Sequence, residues 1–157
     1  MQQGKVVRIF IATEDGEPMI AIPSVRALSG LGLEGDRYAK GVGAHSASKR
    51  VTQRHVTFIS LEAIRDANAE LNEAFEPNET RRNILTSGIN LAQLVGKEFT
   101  VGNVKMRGVE ICEPCARPSK LANKPRFINA FRGHRGGIRA EILNTGTINV
   151  DDAISAS

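Results

Sequence analysis

Short apolar runs bounded by turn-forming residues recur along this chain, and most have the length and spacing of β-strands. Lys5-Val6-Val7-Arg8-Ile9-Phe10-Ile11 reads as the first strand, with Glu17-Pro18-Met19-Ile20-Ala21-Ile22 as its hairpin partner across Thr13-Glu14-Asp15-Gly16. Further strands are expected at 55–59, 82–86, 97–101, 103–111, 138–143 and 146–150. One segment carries a helical period instead: Leu61, Ile64, Leu71 and Phe75 fall on one face, so a helix is expected from Leu61 to Phe75 with Ser60 as its N-cap. A shorter helical turn is expected to open at Asn90 and end at Gly96, with Leu91, Leu94 and Val95 facing inward. Many short strands and one main helix predict a mainly β fold, a barrel or sandwich.

The stretch from Ser29 to Ala47 breaks the pattern. It has no clear period and carries Gly30, Gly32, Gly35, Gly41 and Gly43. A plain connection is rarely that long, so a functional loop is expected, closing over a ligand with Asp36 and Arg37 as its contacts. Gly30-Leu31-Gly32-Leu33-Glu34-Gly35 has the G-x-G-x-x-G spacing of a dinucleotide site, but no helical pattern follows it, which argues against that function.

Composition narrows the class. At 157 residues, 41% apolar and 24% charged, the chain is expected to be one globular domain spanning 1–157. No run approaches the ~20 apolar residues of a membrane helix, and Met1-Gln2-Gln3-Gly4-Lys5 leads into a strand rather than a signal sequence. The expected compartment is the cytoplasm, with no membrane partner. The net charge is +4, and the arginines gather at Arg81-Arg82 and between Arg107 and Arg139. A basic β-barrel that binds nucleic acid is one reading, but aromatic residues are only 4% with no tryptophan, which leaves little for bases to stack on. A localised arginine set suits a small phosphate-bearing ligand better.

The candidate chemistry lies in Cys112-Glu113-Pro114-Cys115-Ala116-Arg117-Pro118, which holds both cysteines. Free cysteine often packs as a small buried hydrophobe. A thiol with an unperturbed pKa of about 8.5 nevertheless shifts toward thiolate beside cations, and Arg107, Arg117, Arg132, Arg135 and Arg139 flank this segment. Of the two sulfurs Cys115 is favoured, since Ile111-Cys112 continues the preceding strand while Cys115 lies beyond Pro114. Cys112 and Cys115 also form a C-x-x-C half-site, but His45, His55 and His134 are scattered and no second pair exists, so no zinc is expected. Gly133-His134-Arg135-Gly136-Gly137-Ile138-Arg139 has the glycine and arginine content of an anion-binding turn, or of a tight approach to a strand. Arg81-Arg82-Asn83-Ile84, at an expected strand start, should turn one arginine inward, where it needs an anionic partner.

Taken in order, Gly32-Leu33-Glu34-Gly35-Asp36-Arg37, Arg54-His55-Val56-Thr57-Phe58-Ile59, Arg81-Arg82-Asn83-Ile84, Leu94-Val95-Gly96, Cys112-Glu113-Pro114-Cys115 and Arg135-Gly136-Gly137-Ile138-Arg139-Ala140-Glu141-Ile142-Leu143 resemble the MOSC family, the carboxyl-terminal domain of molybdenum cofactor sulfurases and a small stand-alone bacterial protein. The resemblance implies a MOSC-type β-barrel. It also implies binding of the molybdenum cofactor (molybdopterin), or carriage of persulfide sulfur, through Cys115, which would hold the sulfur or ligate molybdenum. Arg81, Asn83, Asp36, Arg37, Gly136, Gly137 and Arg139 would contact the cofactor. Sulfur would come from a separate donor such as a cysteine desulfurase, because the pyridoxal-phosphate domain of full-length sulfurases has no counterpart in 157 residues. The alternative activity implied is molybdenum-dependent reduction of N-hydroxylated substrates with redox partner proteins. The enzyme class is thus open between sulfurtransferase and oxidoreductase. The chain departs from the family at Asp151-Asp152, where Gly-Asp is usual, and at Pro118, where a leucine is common.

Overall fold

The computed structural model describes residues 2–14, 16–37, 55–112 and 130–156. The first strand, β1 (Gln2–Ile11), is the seam of the fold. One of its edges pairs with β6 (Ile84–Ser87), from Lys5↔Ser87 to Ile9↔Ile84. Its other edge is shared between two strands: β11 (Ala153–Ala156) pairs with its beginning and β2 (Ile20–Ile22) with its end. From β11 the sheet runs through β7 (Glu98–Val101), β8 (Val104–Ile111), β9 (Ile138–Ile142) and β5 (Val56–Ser60) back to β6. Seven strands therefore close into a barrel, as expected from the strand pattern and from the family resemblance. A separate three-stranded sheet is formed by β10 (Gly146–Asn149), β3 (Ser24–Leu28) and β4 (Gly32–Leu33).

Ladders between neighbouring strands are antiparallel apart from β5 and β6, which run parallel with Phe58↔Ile84 and Ser60↔Thr86 in register. Parallel neighbours need a crossover, and the helix α1 (Leu61–Leu71) supplies it. Ser60 caps α1, its hydroxyl accepting from the Ala63 N–H at 3.0 Å. The helix stops short of the expected Phe75 because Asn72 takes a left-handed conformation (φ 51). Asn68 then holds the returning chain, accepting from the Phe75 N–H and donating to its carbonyl. Phe75 thus reaches the same apolar layer from beyond the helix, which is why the helical period included it.

Alternation along the strands sorts the side chains into two cores. Val6, Ile9, Val56, Phe58, Ile84, Phe99, Val104 and Ile138 point into the barrel and fill it. Phe10, Ile59 and Leu85, one position on, point outward and pack with Ile64, Ala67, Phe75 and Phe131 under α1. Strand β5 is covered on both faces, and its residues 56–59 are all buried.

Three strands were not expected: β3, β4 and β11. The β4 residues lie inside the glycine-rich stretch, whose first part is a hairpin with β3 (Leu28↔Gly32, Ala27↔Leu33) rather than a loop. Residues 38–47 of that stretch lie outside the described residues, and so does the lid expected there. The strand expected at 82–86 begins at Ile84, after a 3₁₀ turn over Pro77–Thr80 and a left-handed Arg81 (φ 61). Among the described residues no helix is long and apolar enough to cross a membrane.

Candidate site on the outer wall of the barrel

The register of four strands sets a row of polar residues on the outer wall. Glu110 on β8 lies opposite Arg139 on β9, and Arg139 lies opposite Thr57 on β5. Asn83, just before β6, continues the row, its N–H donating to the Thr57 carbonyl at 3.1 Å. Ile138 and Ala140 face the interior, so Arg139 between them faces out.

Asn83 is fully buried and its amide is committed to backbone and strand partners. Its Oδ1 accepts from the Thr57 N–H and hydroxyl, each at 3.1 Å, and its Nδ2 donates to the Phe10 carbonyl at 3.1 Å. It staples β5, β6 and β1 at one level. Arg139 is different. It is half-buried, and its side chain makes no hydrogen bond or ion pair with the described residues.

Both arginines before Asn83 are buried, against the expectation of one in and one out, because neither lies in a strand. Arg81 Nη1 donates to the Glu17 carbonyl at 2.7 Å, toward the β1–β2 hairpin. Arg82 turns the other way, its Nε donating to the Gly136 carbonyl at 2.9 Å. The partner expected for an inward arginine was an anion or carboxylate; for these hydrogen bonds it is the backbone. Arg82, not singled out in the sequence as a site residue, thus reaches the glycine turn.

Asp36 and Arg37 are both buried. Asp36 Oδ1 accepts from the Ala12 N–H at 3.0 Å and from Arg37 Nη1 at 3.2 Å. Arg37 also donates to Met19 Sδ at 3.3 Å and to the Arg81 carbonyl at 3.2 Å. The pair ties the end of the β3–β4 hairpin to β1 and to Arg81. Burial of an ion pair is tolerated where further hydrogen bonds satisfy it, as they do here.

Gly136 and Gly137 serve close packing. A Cβ on Gly136 would overlap the Cys112 carbonyl oxygen, and one on Gly137 (φ 84) would overlap that of Phe58. Cys112 is buried with a free thiol, and its N–H donates to the Gly137 carbonyl at 2.8 Å. Cys115 lies outside the described residues.

Two of the cations that flank the cysteines in sequence, Arg107 and Arg135, are paired with carboxylates. Arg107 on the surface bonds Glu98 at 3.0 Å and Glu141 at 3.2 Å, and the hydrogen bond to Glu98 raises its pKa further above the ordinary arginine value. Arg135 pairs with Glu70 at 2.6 Å and lines a cleft of about 360 Å³ between the start of α1 and residues 88–92, which none of the expected site residues lines. Among the described residues no group of three or more His, Cys, Asp and Glu could hold a metal ion.

Solved structures with the same fold come from bacteria. The YuaD protein from Bacillus subtilis superposes with a TM-score of 0.78 at 18% identity, over 97% of this chain and 94% of that one. YiiM from Geobacillus stearothermophilus gives 0.72 at 12% identity over 98% and 75%. YiiM from Escherichia coli gives 0.69 at 16% identity over 100% and 70%. No curated protein matches the sequence. At these identities the likeness is one of fold. The sequence itself carries the stronger finding: the MOSC domain pattern matches residues 36–155, most of the chain, and the protein belongs to the MOSC domain family, which is associated with the molybdenum cofactor.

Proposed function

We propose that this protein handles the molybdenum cofactor or its sulfur through Cys115, with Arg139 as the cation that faces the incoming anion. The observation that carries this reading is Arg139 itself. A half-buried guanidinium without a partner among the described residues is an unspent donor, and desolvating such a charge is costly unless an anion meets it. Its position supports the reading further. Ile138, its neighbour, pairs with Ile111, and the cysteine segment begins at the next residue, Cys112. Three Cα–Cα steps, about 11 Å at full extension, separate Cys112 from Cys115.

The donor set suits the cofactor in part. Arg139 fits its terminal phosphate and Cys115 fits its soft metal or a transferable sulfur atom. The side-chain groups of Asp36, Arg37 and Asn83 described above serve the surrounding wall, so these residues act by shaping the site. The cofactor, when bound, supplies a redox-active metal held by its own sulfur atoms. In sulfur carriage the Cys115 thiolate attacks the outer sulfur of a protein persulfide on a separate desulfurase. The new S–S bond forms as the donor's cysteine leaves as thiolate, so no external oxidant is required.

The test is the protein purified from a cofactor-producing host and, separately, incubated with a persulfide donor. Cys115→Ser is expected to lose bound molybdenum or persulfide, read by elemental analysis and by alkylation mass spectrometry, while Cys112→Ser retains most of it. Equal loading of Cys115→Ser and the unmodified protein would remove Cys115 from the site.

A further inference from the structure

We propose that Arg82 is a positioning residue for the cysteine segment: its guanidinium fixes the Gly136–Gly137 turn on which the Cys112 end of that segment rests. The side chain is 8% exposed and crosses 54 positions of sequence to reach Gly136. Its Nε donates to the Gly136 carbonyl at 2.9 Å and its Nη1 to the Thr80 carbonyl at 3.4 Å. Gly136 packs directly on Cys112, leaving no space for a side chain between the two backbones. The following residue closes the contact, because the Cys112 N–H donates to the Gly137 carbonyl at 2.8 Å and Gly137 is itself wedged on the Phe58 carbonyl. Arg82, the glycine turn and Cys112 thus form one chain of contacts.

Arginine suits this task for a geometric reason. Its donors lie in a rigid plane, so two carbonyls in different directions are held at once, whereas a lysine presents a single mobile ammonium. The preceding staple sets its origin: Asn83 is bound to Thr57 and Phe10, so the Arg82 backbone is held beside β5 and β1. Both glycines are needed for the turn to lie close enough to Cys112 for the contact to act. Arg82 bears on function only if Cys115 does, so this inference rests on the reading above.

The experiment reads the two separately. In Arg82→Gln, amide hydrogen exchange followed by NMR should be at least about tenfold faster at Cys112, the loss expected from removing a charged hydrogen bond. The amides of the β7–β8 ladder should keep their rates. Persulfide loading of Cys115 from the same donor should fall by a similar factor. If Arg82→Gln does not fold, Arg82→Lys is measured in its place, with the same expectation at Cys112. An unchanged Cys112 rate, a rate that rises only in step with the β7–β8 ladder, or unchanged loading despite a faster Cys112 amide would each overturn the proposal. Should the unmodified protein take up neither sulfur nor cofactor, the functional reading fails by itself, and the Cys112 amide still decides whether Arg82 holds the turn.

Discussion

Two residues in one row of the outer wall separate structure from chemistry. Asn83 sits where its side chain can bond three groups at once, and its loss strands the Phe10 carbonyl and the Thr57 N–H in the interior. Asn83→Ala should cost about 3 kcal/mol in urea denaturation and, acting only through the wall, lower loading per folded molecule less than a change at Arg139 does. Arg139, two strands away, should behave in the opposite sense. With no partner among the described residues to lose, Arg139→Gln should shift the urea midpoint little and lower cofactor or sulfur loading. Stability loss at Arg139, or a larger loading loss per folded molecule at Asn83 than at Arg139, would reverse these assignments. In the sequence the two look alike, as polar residues next to apolar runs. An amide saturated by backbone groups 26 and 73 positions away cannot be told from one waiting for a ligand. The same holds for Arg82, whose acceptors are carbonyls that every residue possesses.

Elements were legible where their period was long enough to be unambiguous. The β1 run, the Ser60 cap and the strands from Glu98 to Ile111 follow from alternation and punctuation alone. Strand β11, Ala-Ile-Ser-Ala, offers one large apolar residue and no period to detect. The parallel pairing of β5 with β6 was hidden for another reason: the intervening helix and turn separate the partners, and register between distant strands is written in their shared packing. The glycine turn shows how little room such packing leaves. Gly137→Ala must place a methyl group on the Phe58 carbonyl and hold alanine at φ 84, which together should cost about 4 kcal/mol. Guanidinium chloride midpoints of this variant and of a Gly30→Ala control check the sum. Gly30 also has a positive φ (77) but an open surrounding, so the control carries the backbone strain alone. Equal losses in the two variants would mean that the close approach to β5 contributes nothing.

For the molecule as a whole, barrel closure depends on β11, which bridges β1 and β7. Removing residues 153–157 would open both edges and take the buried Ile154 out of the core. That truncated protein should lose the sharp urea transition and the dispersed amide spectrum of the closed form, and a cooperative, monomeric product would show that the barrel closes without its last strand. The mainly β class was readable from strand spacing, because many short amphipathic runs have few other ways to bury one face, while the choice of barrel over sandwich came from the family resemblance. Where the walls face was not: the arginine expected to turn inward meets an interior already filled by side chains, and the polar row lies outside. The seam at β1 also bears on how the protein is made. Gln2 pairs with Ala156, so β1 leaves the ribosome long before the strand that covers one of its edges is made. Until then β1 is held by neighbours such as β2 and β6 while β7 has one edge bare, and a translational pause before β11 is made would lengthen the interval in which the nascent chain can pair with a stranger.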